Sequence, residues 1–272
     1  MLRRSNLLAV ITAILGTILG VAAQTPQTAK VELGSNTAKN GFKNETEIAE
    51  KFNNWKTDED ARTWLAFMGR KTAEIESVAA SKPHGEKADI QVRIKSLSGE
   101  RIEGISIKLV SSPAGFNQID KRWLSTYSKM WKMPADVEEA LKLFVGETKP
   151  NKQSRLANRM YINEFDAETQ KKIVDFFTVR KSEIVTALFK GDGQFSAGWM
   201  MVALKSETTP RWVLRQIDYV IKFFGDGPVE ITRNGNLKIG RITMQRKGGD
   251  GGRDTAKMLQ FKINPALLFE GK

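Results

Sequence analysis

The chain has 272 residues and a hydrophobic fraction of 40%, enough to bury the core of one large or two small domains. It has no cysteine, and its single histidine, His84, lies in the loop-like stretch SKPHGEK. That excludes disulfides, zinc–thiolate sites, a thiol nucleophile and a multi-histidine metal centre. The net charge of +12 favours a polyanionic partner, either nucleic acid or an acidic membrane face.

The opening MLRRSNLLAVITAILGTILGVAAQ has two arginines, an apolar run from Leu7 to Val21 and the small residues Ala22 and Ala23. This is the layout of a signal peptide, or of an anchor slightly short for a full span. An upstream extension that the functional protein does not need is the alternative. Residues 1–28 are therefore set apart from a single domain over residues 29–272. The body is expected to be cytoplasmic, or exported if the leader works.

Residues 24–43 are polar and read as a linker. Asn44 and Glu47 have capping-box spacing, with Ile48, Ala49, Phe52 and Trp55 on one helical face. A second helix repeats that capping spacing with Thr57 and Asp60 and stops at Gly69. After a connecting segment come two alternating runs, Ala88–Ile94 and Ile105–Val110, joined through Ser98-Gly99 as a tight hairpin.

Helices follow over ADVEEALKLFVG, DAETQKKIVDFF and SEIVTALFKG, with Asp166 and Ser182 as N-caps. FSAGWMMVAL reads as a strand or a buried helix, and RWVLRQIDYVIKFFG as a helix. Two strand-like runs then meet at Asn234-Gly235, and the glycine-rich GGDGG leads into MLQFKI. GGDGG lacks the Gly-Lys-Ser/Thr ending of a P-loop and reads as a hinge or a backbone approach to phosphate. Helices flanking a central mixed sheet give the class α/β or α+β. The segment 229–265 is strongly basic: Arg233 to Lys262 holds eight cations against two acids, half of the net charge.

A hairpin centred on Ser98-Gly99 pairs Asp89 with Lys108 and Gln91 with Ser106, all on one face. Ala88, Ile90, Val92, Ile105, Ile107 and Leu109 line the other. The polar face is either an exposed cross-strand salt bridge, worth about 0.2–1 kcal/mol, or a metal-dependent phosphodiesterase centre. In the second case the Asp89 carboxylate holds Mg²⁺, while Lys108 orients the attacking water and offsets charge developing on the phosphorane. Glu45 is an extra ligand or supporting acid, or simply an acid favoured by a helix N-terminus.

The order Asp89…Ser106-Ile107-Lys108 resembles the PD-(D/E)XK nuclease pattern. The stretches VELGSNTAKNGFKNE, IKLVSSPAGFNQIDKRWL, MWK and, above all, GRITMQRKGGDGGRDTAKMLQFKINP resemble the type II restriction endonucleases that cleave GCGC. The likeness runs from Val31 to Phe269. It implies a restriction-endonuclease-like core and Mg²⁺-dependent hydrolysis of double-stranded DNA, leaving 5′-phosphate ends. It also implies a monomer or weak homodimer, and a cognate DNA methyltransferase as genetic partner. By position, Asp89 and Ser106 would bind metal and Lys108 would be the catalytic lysine. Two departures bear on metal affinity: Ala88 replaces a hydroxyl residue, and Ser106 replaces the family's Gln. Gln91, expected beside Ser106, is a candidate to supply the missing oxygen.

Reading G·C pairs needs donors for guanine and acceptors for cytosine in the major groove. The break SSPAGFNQIDKRW reads as a presenting loop. In it, Asn117 and Gln118 reach base edges, and Lys121 and Arg122 hold phosphates or guanines. Phe116 is a wedge against a base step, or a loop aromatic tucked into the core. Gln245, Arg246, Lys247, Lys257 and Gln260 are further base or phosphate contacts, or a solvated basic face. Two other functions stay open. One is a DNA-binding protein whose catalytic site has decayed, suggested by Ala88 and Ser106. The other is an exported nuclease of low specificity, suggested by the leader.

Overall fold

The computed structural model describes residues 26–83, 87–205, 210–249 and 252–270. Residues 1–25 of the leader, His84 and Asp250 of the glycine-rich loop lie outside them. Among the described residues no helix is long and apolar enough to cross a membrane.

The first helix, α1 (Pro26–Asn53), already includes the stretch expected to be a linker. That stretch is rich in Thr, Gln, Asn, Lys and Gly, so its composition carried no apolar period for a helix to register. Ile48, Ala49 and Phe52 are buried as expected, and Trp55 just beyond the helix joins them. Asn44 lies inside the helix, 2% exposed, and does not cap it. Glu45 is likewise far from the helix N-terminus, so the dipole explanation for it lapses. In α2 (Glu59–Phe67) the cap is Asp58, which accepts from the Ala61 amide. Thr57, expected as the cap, stands one residue too early, and Asp60 lies in the first turn.

The segment expected to be a connection contains strand β1 (Ile75–Ser81). Strands β2 (Ile90–Ser96) and β3 (Gly99–Val110) form the expected hairpin with a different register. Ser96 pairs with Gly99, so the two-residue turn is Leu97-Ser98, and Ile90 faces Ile105. Extended by one residue, Asp89 stands opposite Ser106, and Lys108 is two positions further along. Gln91 faces Gly104, not Ser106. Because the slip is by an even number in the pairing sum, every residue keeps its face.

β4 (Asn117–Arg122) is a strand, not the presenting loop expected there. Helices α3 (Leu124–Trp131), α4 (Ala135–Val145), α5 (Ala167–Val179) and α6 (Lys181–Phe189) follow. Asp166 caps α5 as expected, its side chain accepting from Thr169 N. α6 follows α5 so closely that Arg180 flanks both, which leaves Ser182 inside the first turn.

β5 (Trp199–Leu204) is buried along its whole length, which explains its unbroken apolar sequence. The helix expected from Arg211 is instead β6 (Arg211–Gln216) followed by α7 (Ile217–Gly225). Residue-for-residue pairing with β5 outweighs the helical pattern of RWVLRQ. The chain ends with β7 (Val229–Ile231), β8 (Leu237–Ile239), β9 (Ile242–Arg246) and β10 (Leu259–Ile263).

The strands make two five-stranded sheets, β1-β2-β3-β5-β6 and β4-β10-β9-β8-β7. In the first, β3 and β5 are parallel and the other pairs antiparallel. The mixed α/β class holds, with a second sheet beside the expected one. One core lies between the first sheet and α1–α2 and includes Ile48, Phe52, Trp64, Ile90, Ile105 and Met201. The larger core joins α3–α7, the second sheet and the opposite side of β5. Val110 belongs to that larger core. The side of β3 bearing Ser106 and Lys108 therefore faces the second sheet rather than open solvent.

Candidate active site

Asp89 immediately precedes β2, where its amide donates to Ile105 O at 2.9 Å and extends the ladder. One carboxylate oxygen gathers three donors. Asp89 Oδ2 accepts from Ile107 N at 2.5 Å and from Ser106 Oγ at 3.2 Å, and it faces Lys108 Nζ at 3.6 Å. The lysine also donates to Ile107 O at 3.0 Å. One ammonium group thus rests between a carboxylate and a main-chain carbonyl. Lys108 and Asp89 side chains are 15% and 25% exposed, so this is not the solvated surface salt bridge that periodicity left open.

Glu45 approaches from α1. It pairs with Lys82 Nζ at 3.0 Å. Burial pushes its carboxyl up from the ordinary carboxylate range, the Lys82 hydrogen bond opposes this, the Asp89 charge adds to it and Lys108 counters. Glu45 is therefore within the electrostatic field of the Asp89–Lys108 pair. Gln91 turns away to donate to Gln194 O at 2.9 Å, so it does not supply the oxygen expected of it beside Ser106.

A cleft of about 360 Å³ opens over these groups, lined by Lys87, Asp89, Ser106, Lys108, Asp120 and Arg122 among others. The sequence reading passed over Lys87 and Asp120. Lys87 Nζ meets Asp120 Oδ2 at 2.5 Å, and Asp120 Oδ1 accepts from Tyr127 Oη at 2.5 Å and Arg122 Nε at 3.0 Å. Burial acts to raise the Asp120 carboxyl, but Lys87, Arg122 and Tyr127 overcome it and hold it below the usual range. Burial lowers the Lys87 ammonium, with Asp120 opposing. The two shifts pull the pair in opposite directions, and the hydrogen bonds into Asp120 keep it a carboxylate. Tyr127 is pushed up by burial and by the Asp120 charge. The one available signal for Lys87 was its place two residues before Asp89, on the same face of an extended chain.

The second sheet leaves one face open. Lys121 pairs with Gln260, and Gln260 with Gln245, so these three form a row across β4, β10 and β9. The next row on that face is Gln118, Lys262, Thr243 and Lys238. Most of these are partly or fully exposed, whereas Gln260 lies packed among its neighbours at 3%. Asn117 starts β4 and Phe116, the residue before it, is 59% exposed, not tucked into the core. Arg246 is set apart: it shares a row with Leu259 on the core side, and burial lowers it. Lys247 follows β9, and its carbonyl accepts from Gln260 Nε2 at 3.5 Å. Lys257 lies in a short turn, paired with Asp254 at 3.0 Å. Arg122, expected to reach DNA, is tied to Asp120.

Among the described residues no three His, Cys, Asp or Glu side chains converge as a metal site. The oxygens that do converge are of mixed type: the Asp89 carboxylate, the Ser106 hydroxyl and the Ile107 carbonyl.

The restriction endonuclease MspI, solved in complex with its cognate DNA, matches the fold with a TM-score of 0.60 at 14% identity, over 85% of this chain and 92% of that one. No curated protein matches. The family model for the R.HinP1I restriction endonuclease matches residues 68–269, from the end of α2 to the last turn. The chain belongs to the R.HinP1I restriction endonuclease family and is a type II restriction endonuclease, a phosphodiester hydrolase.

Proposed function

We propose that the chain hydrolyses double-stranded DNA at GCGC with Mg²⁺, leaving 5′-phosphate ends, beside a cognate methyltransferase in the cytoplasm. The observation that supports this best is the meeting of Ser106 Oγ, Ile107 N and Lys108 Nζ at Asp89 Oδ2, in a cleft shared with the second sheet. The donors fit a hard divalent cation, which takes oxygen ligands. Asp89 Oδ2 and Ile107 O already share one positive charge, that of Lys108. Asp89, Ser106 and Ile107 O would hold the ion, with Glu45 behind them. Such an ion, when bound, polarises a phosphoryl oxygen and lowers the pKa of bound water.

The chain's own groups do the rest. Ile107 N–H fixes the Asp89 carboxylate, and Lys108 holds the attacking water and faces the charge that builds on the phosphorane. Gln118, Gln245 and Asn117 read base edges, while the buried Gln260, set between Lys121 and Gln245 and donating to Lys247 O, holds that row in place rather than reaching DNA as expected. Lys121, Lys247 and Lys257 take phosphates, and Phe116 wedges a base step. Arg246 supports this surface from behind. Plasmid incubated with Mg²⁺ should be cut at GCGC, and EDTA or methylation within GCGC should abolish cutting.

One observation favours a second reading, a DNA-binding protein with a decayed site. Ser106 is 5% exposed, and its hydroxyl is spent on Asp89. Binding to a GCGC duplex without EDTA-sensitive cleavage would select that reading.

A further inference from the structure

β4 pairs with β10 with one residue too many. Lys121 faces Gln260 and Asp120 faces Phe261, but Gln118, not Ile119, faces Lys262. Ile119 is the extra residue of a β-bulge. Without it, Gln118 would share a face with Asp120 and point into the core side. The bulge turns Gln118 onto the open face with Lys121. A bulged residue loses its place in the ladder, and its carbonyl needs another donor. That donor is Lys87: Nζ lies 3.1 Å from Ile119 O and 2.5 Å from Asp120 Oδ2.

Room for Lys87 is cut by Gly191, at φ +67, where a Cβ would stand 2.8 Å from the lysine Cβ. The pair is 14% and 8% exposed. A buried ion pair is a weak stabiliser, since desolvation offsets most of the attraction and a well-packed apolar pair often serves as well. What an ammonium does that an apolar group cannot is fix a carbonyl and a carboxylate at once. It does so from a residue two places before Asp89.

We propose that Lys87 is a positioning residue that locks the Ile119 bulge and so sets Gln118, on the base-reading strand, in register with Asp89 at the cutting centre. This rests on the proposed roles of Asp89 and Gln118. The lock then bears on rate, through the placement of Asp89, far more than on affinity.

Lys87→Met leaves the buried Asp120 to Arg122 and Tyr127 alone, and Asp120→Asn leaves the buried Lys87 without its carboxylate, so either can unfold the chain and the decisive variant is Lys87→Met with Asp120→Asn, which removes both. In the full chain it should melt near the wild type and bind a one-site GCGC duplex in EDTA within about 3-fold. Single-turnover cleavage with Mg²⁺ should fall about 100-fold, the cost of a displacement near 1 Å at a reacting centre. Lys87→Arg should keep more of the rate. Amide exchange over Gln118–Asp120 without DNA should rise at least 10-fold in the double variant, as the bulge loosens. A folded double variant that cuts at the wild-type rate overturns the proposal. So does a rate loss matched by an equal affinity loss, or unchanged exchange in the bulge. A wild type that cuts no duplex would sink the nuclease reading instead, and the exchange result would still decide the lock.

Discussion

Lys108 Nζ lies 3.6 Å from Asp89 Oδ2, although the two residues are not directly opposed in the hairpin. Ser106 holds the opposed position, and the lysine reaches back along its strand to the carboxylate. The direct partner is therefore the residue that would share the metal with Asp89, and the lysine is left beside both.

Ser106 is the weakest donor of the set, one hydroxyl where the family resemblance places Gln. Ser106→Gln extends an amide oxygen toward the adjoining cleft of about 360 Å³. The Mg²⁺ concentration giving half-maximal cleavage should fall, by roughly the 10-fold that a changed ligand environment commonly brings. A Mg²⁺ titration of initial cleavage rates checks this.

The open face of the second sheet predicts two separable losses. Lys121→Ala should weaken binding to all duplexes alike and flatten the salt dependence of log K by about 0.9. Gln118→Ala should cost about 1–3 kcal/mol on the cognate site and little on others. Binding isotherms at several salt concentrations distinguish them.

Gly104 passes directly under Ser196: a Cβ there would stand 2.2 Å from Ser196 O. Gly104→Ala must push the 193–196 segment off the start of β2, where Ala88 N donates to Phe195 O at 3.1 Å. Overpacking of this kind costs about 1–3 kcal/mol. Denaturant melts should show that loss, and cleavage should drop with it.

Glu164 reports on acid stability. Burial acts to raise its carboxyl, but the amides of Arg155 and Tyr161, each at 2.7 Å, and Ser154 outweigh this and hold it below the ordinary range. A depressed carboxylate stabilises the fold above its unfolded pKa, and that contribution disappears as pH falls through the folded value. Glu164→Gln should therefore cost about 1.5–3 kcal/mol at pH 7, the worth of hydrogen bonds to a charged acceptor. The difference should vanish in strong acid, as melts across pH will show.

What could be read from the chain followed the physics of each segment. Period-two alternation fixed the shared face of Asp89, Ser106 and Lys108, and an even register slip cannot change a face. The register itself depended on whether Gly99 sits in the turn or just after it. It takes φ +118 as the first residue of β3, which composition alone does not decide. β4 was hidden because every residue of it but Ile119 is polar and its partner β10 lies far along the chain. The Lys87–Asp120 link was hidden for the same reason: two unremarkable charges 33 residues apart become neighbours only when the sheets pack.

The most direct measurement maps cleavage ends on a defined plasmid with wild type and Lys108→Ala, in Mg²⁺ and in EDTA. Wild type should give 5′-phosphate ends confined to GCGC, only with the metal. Lys108→Ala should lose about 100- to 1,000-fold in rate, as expected when a group that stabilises transition-state charge is removed, and keep most of its DNA affinity. Equal cutting by the variant would mean that the ammonium beside Asp89 has no part in the chemistry.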